Sequence, residues 1–232
     1  MVIEENFNLE KRQVYCEDAI SWLLKQAPEN YAGCSIVTSL PDISEFPQLS
    51  LESWKKWFIE TASLILSKIP DEGVAIFYQT DIKWEGTWVD KGHLCQQASD
   101  NLNIKIELLW HKIICGVPPG IITFGKPSYS HLLCFSKGQR SILNKSTADV
   151  IPHRGDKVWP RGMSLEACLI IARFISEQTS TQTIINPFCG KGSMLAAANL
   201  FGLQAIGIER STKRAQIARE ITVSQDMKTW VV

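Results

Sequence analysis

The residues best spaced for chemistry are Asn186-Pro-Phe-Cys-Gly-Lys-Gly-Ser193 and, 17 residues after Gly192, Glu209. A strand that ends in Gly-x-Gly lets main chain approach a ligand closely, because Gly190 and Gly192 carry no Cβ. An acid closing the next strand is placed to accept hydrogen bonds from ribose hydroxyls. The pattern therefore asks for a nucleoside-bearing ligand. A Walker loop does not fit, since the residues flanking Gly190-Lys191 are wrong for one. A dinucleotide fingerprint fits poorly as well. Leu195 holds the place of its third small residue, and only 40 residues follow Gly192. The plain alternative is a tight strand-to-helix turn without a ligand.

Such a loop needs a strand before it and a helix after it. Residues 183–185 read as that strand and 193–200 as the helix, with a strand at 204–208 and a helix at 212–221. The rest of the sheet must come earlier. Residues 14–26 have helical spacing with Asp18 near the start, and 34–38 form a β-branched strand that stops at Ser39-Leu40-Pro41-Asp42. A helix at 51–69, a buried strand at 73–78 and a helix at 91–102 follow. Strands at 104–114 and 131–136 flank a Gly/Pro-containing loop, 116–128, and 164–177 restores a helix. Alternating apolar strands and helices imply an α/β three-layer sandwich with a largely parallel sheet, in one domain over residues 1–232.

Composition narrows the classes. Twenty-four Lys+Arg balance 24 Asp+Glu, with 45% apolar and 21% charged residues. These values exclude a wholly disordered chain and a uniformly basic nucleic-acid coat. No run approaches the ~18 apolar residues of a membrane span. The first twelve residues lack a secretory apolar region, so an intracellular protein, cytoplasmic or nuclear, is expected. Seven scattered cysteines form no CxxC pair and imply reduced, mostly buried thiols. His93 and His131 lack ligand-like spacing, so no metal is assigned. His111 and Lys112 could face the site's mouth or form a solvated strand end.

The loop, in this context, resembles the Asp-Pro-Phe-x-Gly-x-Gly-Thr motif of circularly permuted S-adenosylmethionine-dependent methyltransferases, the group that contains the β-type DNA amino-methyltransferases. Residues 14–23, 36–42, 109–112, 132–137 and 164–176 match further segments of that group in order. The resemblance implies a Rossmann-like class I methyltransferase sheet, circularly permuted, with S-adenosylmethionine as cofactor. A catalytic half (14–136) would precede a linker (137–161) and a cofactor-loop half (162–232). Phe188, Gly190, Gly192 and Ser193 would shape the pocket, Glu209 would take the ribose, and Asp18 and Ala19 the adenine. Asn186 replaces the usual Asp and loses a charge toward the ligand's ammonium. For Asp18 a helix N-cap is the alternative.

The family's catalytic motif is Asp/Asn/Ser-Pro-Pro-aromatic, where Ser39, Leu40, Pro41 and Asp42 stand here. Ser39 and Pro41 match, while Leu40 and Asp42 depart. Asp42 is expected either to act as a base or acceptor for the nucleophile or to cap the following loop. Phe46, Tyr78 and Trp84 are candidates for the missing stacking ring.

Residues 137–161 hold six basic side chains (Lys137, Arg140, Lys145, Arg154, Lys157 and Arg161) against Asp149 and Asp156. This stretch could contact phosphates. The chain has little room for a recognition insert. The expected substrate is therefore nucleic acid, RNA favoured over DNA, with an accessory subunit another source of recognition. Methyl transfer to protein or small molecules and a non-catalytic partner subunit stay as alternatives. The oligomeric state is not read from sequence.

Overall fold

A computed structural model describes residues 11–140 and 146–232. Eight strands form one sheet in the order β1 (Arg12–Tyr15), β10 (Gln204–Ile208), β9 (Thr183–Asn186), β2 (Cys34–Thr38), β3 (Ala75–Gln79), β7 (Tyr129–Ser136), β6 (Glu107–Cys115) and β8 (Val150–Ile151). The first five are parallel, β7 runs against both its neighbours, and β8 is parallel to β6. Two short hairpins stand apart, β4 (Ile82–Trp84) with β5 (Thr87–Val89) and β11 (Thr222–Val223) with β12 (Trp230–Val231).

Helices α1 (Ala19–Lys25), α2 (Leu51–Lys68) and α3 (Lys91–Asp100) cover one face of the sheet; α4 (Leu165–Gln178), α5 (Ser193–Leu200) and α6 (Thr212–Glu220) cover the other. This is the expected three-layer sandwich. Every residue of β2 and β3 is buried, which follows from helices on both faces. In α2, Ser50 accepts from the Ser53 N–H at 3.2 Å, and Trp54, Phe58, Ala62, Ile65 and Leu66 form the buried stripe.

The expected helix over 14–26 is corrected: its first residues belong to edge strand β1, where Val14 pairs with Gly207. Main-chain pairing to β10 outweighs helical spacing there. The two hairpins and β8 escaped the sequence because elements of two or three residues show no period.

Strand order fixes where a ligand can go. From β9 the chain passes through α5 to β10 on one side, whereas β2 leads through α2 to β3 on the other. The C-terminal ends of β9 and β2 therefore part and open a crevice. Residues 137–161 do not form one basic surface. Lys137 donates to the Ser67 and Ile69 carbonyls below β3, whereas Arg154, Lys157 and Arg161 reach the crevice; Lys145 lies outside the described residues. Among the described residues no helix is long and apolar enough to cross a membrane.

Candidate active site

The crevice is a cavity of about 1170 Å³. It is lined by the segments that follow β1, β2, β3, β9 and β10, together with the roots of the β6–β7 loop. Asp18, Ala19, Ser39, Pro41, Asp42, Asn186, Phe188, Gly190, Ser193 and Glu209 all line it. Gly192 does not. Its φ is +85°, and a Cβ there would stand 2.7 Å from Ala218 Cα. Glycine is needed at 192 because the loop passes against α6, not because a ligand approaches.

On one side of the cavity the loop shapes itself. Asn186 is buried, and its Oδ1 accepts from the Phe188 N–H at 3.3 Å. An amide thus serves where the resembled family has a carboxylate, and its oxygen holds the turn. Gly190, at φ +57°, would place a Cβ 3.3 Å from the Trp159 ring. Glu209, 8% exposed, gathers three bonds on Oε1: from the Ser211 N–H at 2.7 Å, Arg214 Nε at 3.0 Å and Arg214 Nη2 at 2.8 Å. The Arg214 guanidinium lies 5.4 Å from the centre of the Trp159 ring. Asp18 caps α1 through the Ser21 N–H at 2.9 Å while also lining the cavity. Burial, reinforced by nearby Glu209, pushes the Cys189 thiol up, so it stays protonated.

The facing side is built from side chains. Ser39 is half-buried and Leu40 buried, and Trp54 Nε1 donates to the Pro41 carbonyl at 3.3 Å. Asp42 begins a 3₁₀ turn, Ile43–Glu45; its N–H donates to Glu45 Oε1 at 3.3 Å, and its carbonyl accepts from the Glu45 N–H at 2.8 Å. Its carboxylate meets Lys91 Nζ at 3.3 Å, and the Lys91 side chain is only 4% exposed. Of the two readings of Asp42, the cap is therefore present, joined by an ion pair between a buried lysine and a half-buried carboxylate that the sequence did not suggest. Phe46, Tyr78 and Trp84 all line the cavity, and Phe46 packs on Trp57 at 4.5 Å.

Behind Lys91 lies a polar network. Asp81 Oδ1 accepts from the Lys91 N–H at 2.8 Å; Oδ2 meets Trp88 Nε1 at 3.0 Å, His131 Nε2 at 3.0 Å and the Tyr129 hydroxyl at 3.4 Å. His131 Nδ1 in turn faces His111 Nε2 at 2.9 Å. Burial pushes the Asp81 carboxyl up, but the bonds from His131, the Lys91 N–H and Trp88 outweigh it and hold it below the usual range. Ligand atoms of Asp81, Asp90 and His131 lie within 4.8 Å of one another, a grouping that His131's sequence spacing concealed. Of the two readings of His111 and Lys112, the one at the mouth fails: neither lines the cavity, and only His111 is exposed at the strand's surface. His111 turns to His131, and Lys112 is buried, binding the Thr147 and Ala148 carbonyls at 3.0 and 2.9 Å.

Sequence reasoning also missed Trp159, Arg214, Lys91 and Asp81. A Trp-Pro-Arg run within a polar stretch was the one local signal, at 159–161. Nothing near Lys91 or Asp81 distinguishes them from surface charges.

No family model matches the chain, and no curated protein does. Solved structures do match. TTHA0409 from Thermus thermophilus, assigned as a DNA modification methylase, superposes with a TM-score of 0.67 at 17% identity, over 89% of this chain and 92% of that one. A further structure of TTHA0409 holds S-adenosyl-L-methionine. PvuII DNA methyltransferase, cytosine-N4-specific, gives 0.64 at 13% identity over 90% and 86%. The M1.HpyAVI–SAM complex gives 0.58 at 16% identity over 90% and 98%. The chain has the Rossmann-like fold of these methyltransferases. The expectation that favoured RNA is opposed by these neighbours. It rested on compactness, yet TTHA0409, of which this chain covers 92%, is assigned to DNA.

Proposed function

We propose that this chain is an S-adenosylmethionine-dependent methyltransferase that acts on DNA, at an exocyclic amine of a base. The observation that carries the reading is one cavity at the divergence of β9 and β2, with the Gly190 loop and Glu209 on one wall and Ser39-Leu40-Pro41 on the other. The residues present fit the cofactor. Gly190 lines the cavity with no Cβ to crowd the Trp159 ring, and Glu209, fixed by Arg214, offers a carboxylate for ribose hydroxyls. Phe188, Asn186 and Ser193 would surround the methionine part, and Asp18 and Ala19 the adenine. The cofactor supplies an electrophilic methyl on sulfonium.

Toward the acceptor, the Ser39 hydroxyl and the Leu40 carbonyl would each accept an amine N–H. That raises electron density on nitrogen and orients its lone pair toward the methyl. Pro41 keeps this strand end extended, and Trp54 pins its carbonyl. The Ser39 segment precedes the Gly190 loop in sequence, and this order supports the circularly permuted arrangement.

Asp42, which caps its turn and pairs with Lys91, favours a second reading: a methyltransferase-like subunit without catalysis. Calorimetry with S-adenosylmethionine and tritiated-methyl transfer to genomic DNA separate the two. Binding with transfer supports the enzyme, whereas no binding at millimolar ligand sinks the enzyme and leaves the subunit.

A further inference from the structure

Phe124 is the most exposed large hydrophobic residue among the described residues, at 91%, and its neighbours Ile122 and Ile121 stand at 77% and 57%. All three lie on the loop between β6 and β7. The loop has a defined shape. Its neck closes where the Gly116 N–H meets the Ser128 carbonyl at 2.6 Å. The Ile121 N–H bonds the Pro118 carbonyl at 3.2 Å, and the Thr123 hydroxyl donates to the Lys126 carbonyl at 2.9 Å. The main chain thus presents apolar side chains to water from a pinned turn.

The position of this tip matters. Gly116, Lys126 and Pro127, at its roots, line the cavity. The Arg154 guanidinium lies beside Gly116, 3.8 Å from where a Cβ would be. An apolar tip with Lys126 and Arg154 at its roots matches a DNA duplex, with phosphates for the cations and stacked bases for the apolar groups. A base paired in a duplex cannot reach Ser39 inside the crevice unless it leaves the stack, and its departure opens a gap.

We infer that Ile122 and Phe124 enter the gap left in a DNA duplex by the extruded base, with Lys126 and Arg154 on the flanking phosphates; this rests on the DNA reading above. Two fluorescein-labelled duplexes of one sequence, intact and with a central abasic site, test it by anisotropy titration. Wild type is expected to bind the abasic duplex at least about fivefold more tightly, because its gap is already open. The I122S/F124S variant should bind both alike, with wild-type affinity for S-adenosylmethionine showing that its fold is intact. Equal binding of the two duplexes by wild type, or a preference that survives in the variant, overturns the inference. So does a wild-type dimer that I122S/F124S converts to a monomer in sedimentation, which would make a second copy the occupant. Failure of wild type to bind S-adenosylmethionine would remove the proposed activity, while the duplex comparison still decides the wedge.

Discussion

The turn at Gly190 is self-bonded and encoded by a short contiguous segment between β9 and α5, with Trp159 and Arg214 laid over it from elsewhere. The facing wall depends on charges from separate segments: Asp42 after β2, Asp81 after β3, Lys91 on α3, and His131 and His111 on β7 and β6. A local backbone motif tolerates the change from Asp to Asn at 186 because its amide still closes the turn. A distributed network has no such redundancy: each member satisfies another's buried polar group.

If that contrast holds, the largest effect comes from Asp81→Ala. It leaves the His131, Trp88 and Lys91 donors without their acceptor and should cost about 3–5 kcal/mol in urea unfolding. A loss below about 1 kcal/mol would mean that the network is dispensable. Gly192→Ala probes the opposite wall. A Cβ held at positive φ against α6 main chain should cost about 2–4 kcal/mol of stability. Gly190→Ala is also strained by its positive φ but meets only the Trp159 ring, so it should cost less stability than Gly192→Ala while cofactor affinity falls. An equal stability loss at both glycines would erase the distinction drawn between them.

Glu209→Gln should weaken S-adenosylmethionine binding about tenfold, or 1.4 kcal/mol, by calorimetry. A smaller effect still is expected from pH. Partial burial, then neighbouring His131, holds the His111 imidazole below its ordinary value. The unfolded chain protonates it near pH 6.5, so its contribution is complete above that pH and fades as pH falls toward the folded value. Asp81, held low, loses its contribution only at more acid pH, as pH falls through its folded value. Urea midpoints should therefore decline from pH 7 to 5 in wild type and less steeply in His111→Phe.

Residues 183–209 were legible in sequence because strand, turn, helix and acid follow one another within the reach of local spacing. The bounds of α5 and β10 agree with their periodic segments, and ten of eleven proposed site residues line one cavity. Gly192 shows the limit of such reading. Two glycines in a pattern look equivalent, but one faces the cavity and the other faces Ala218. Asp18 and Asp42 were each left with two readings, and each has a capping position while lining the cavity.

By itself, the sequence determined the alternation of elements, the glycine turn and the acid that closes the next strand, since backbone preferences and apolar period act over a few residues. Only the tertiary structure decided that Lys91 lies buried against Asp42, that Trp159 and Arg214 cover the glycine loop, and that residues 154–161 separate from 137–140. Pairings of that kind span about 30 to 70 positions. They are fixed by where strand order brings charges out of water, which no local pattern of residue types records.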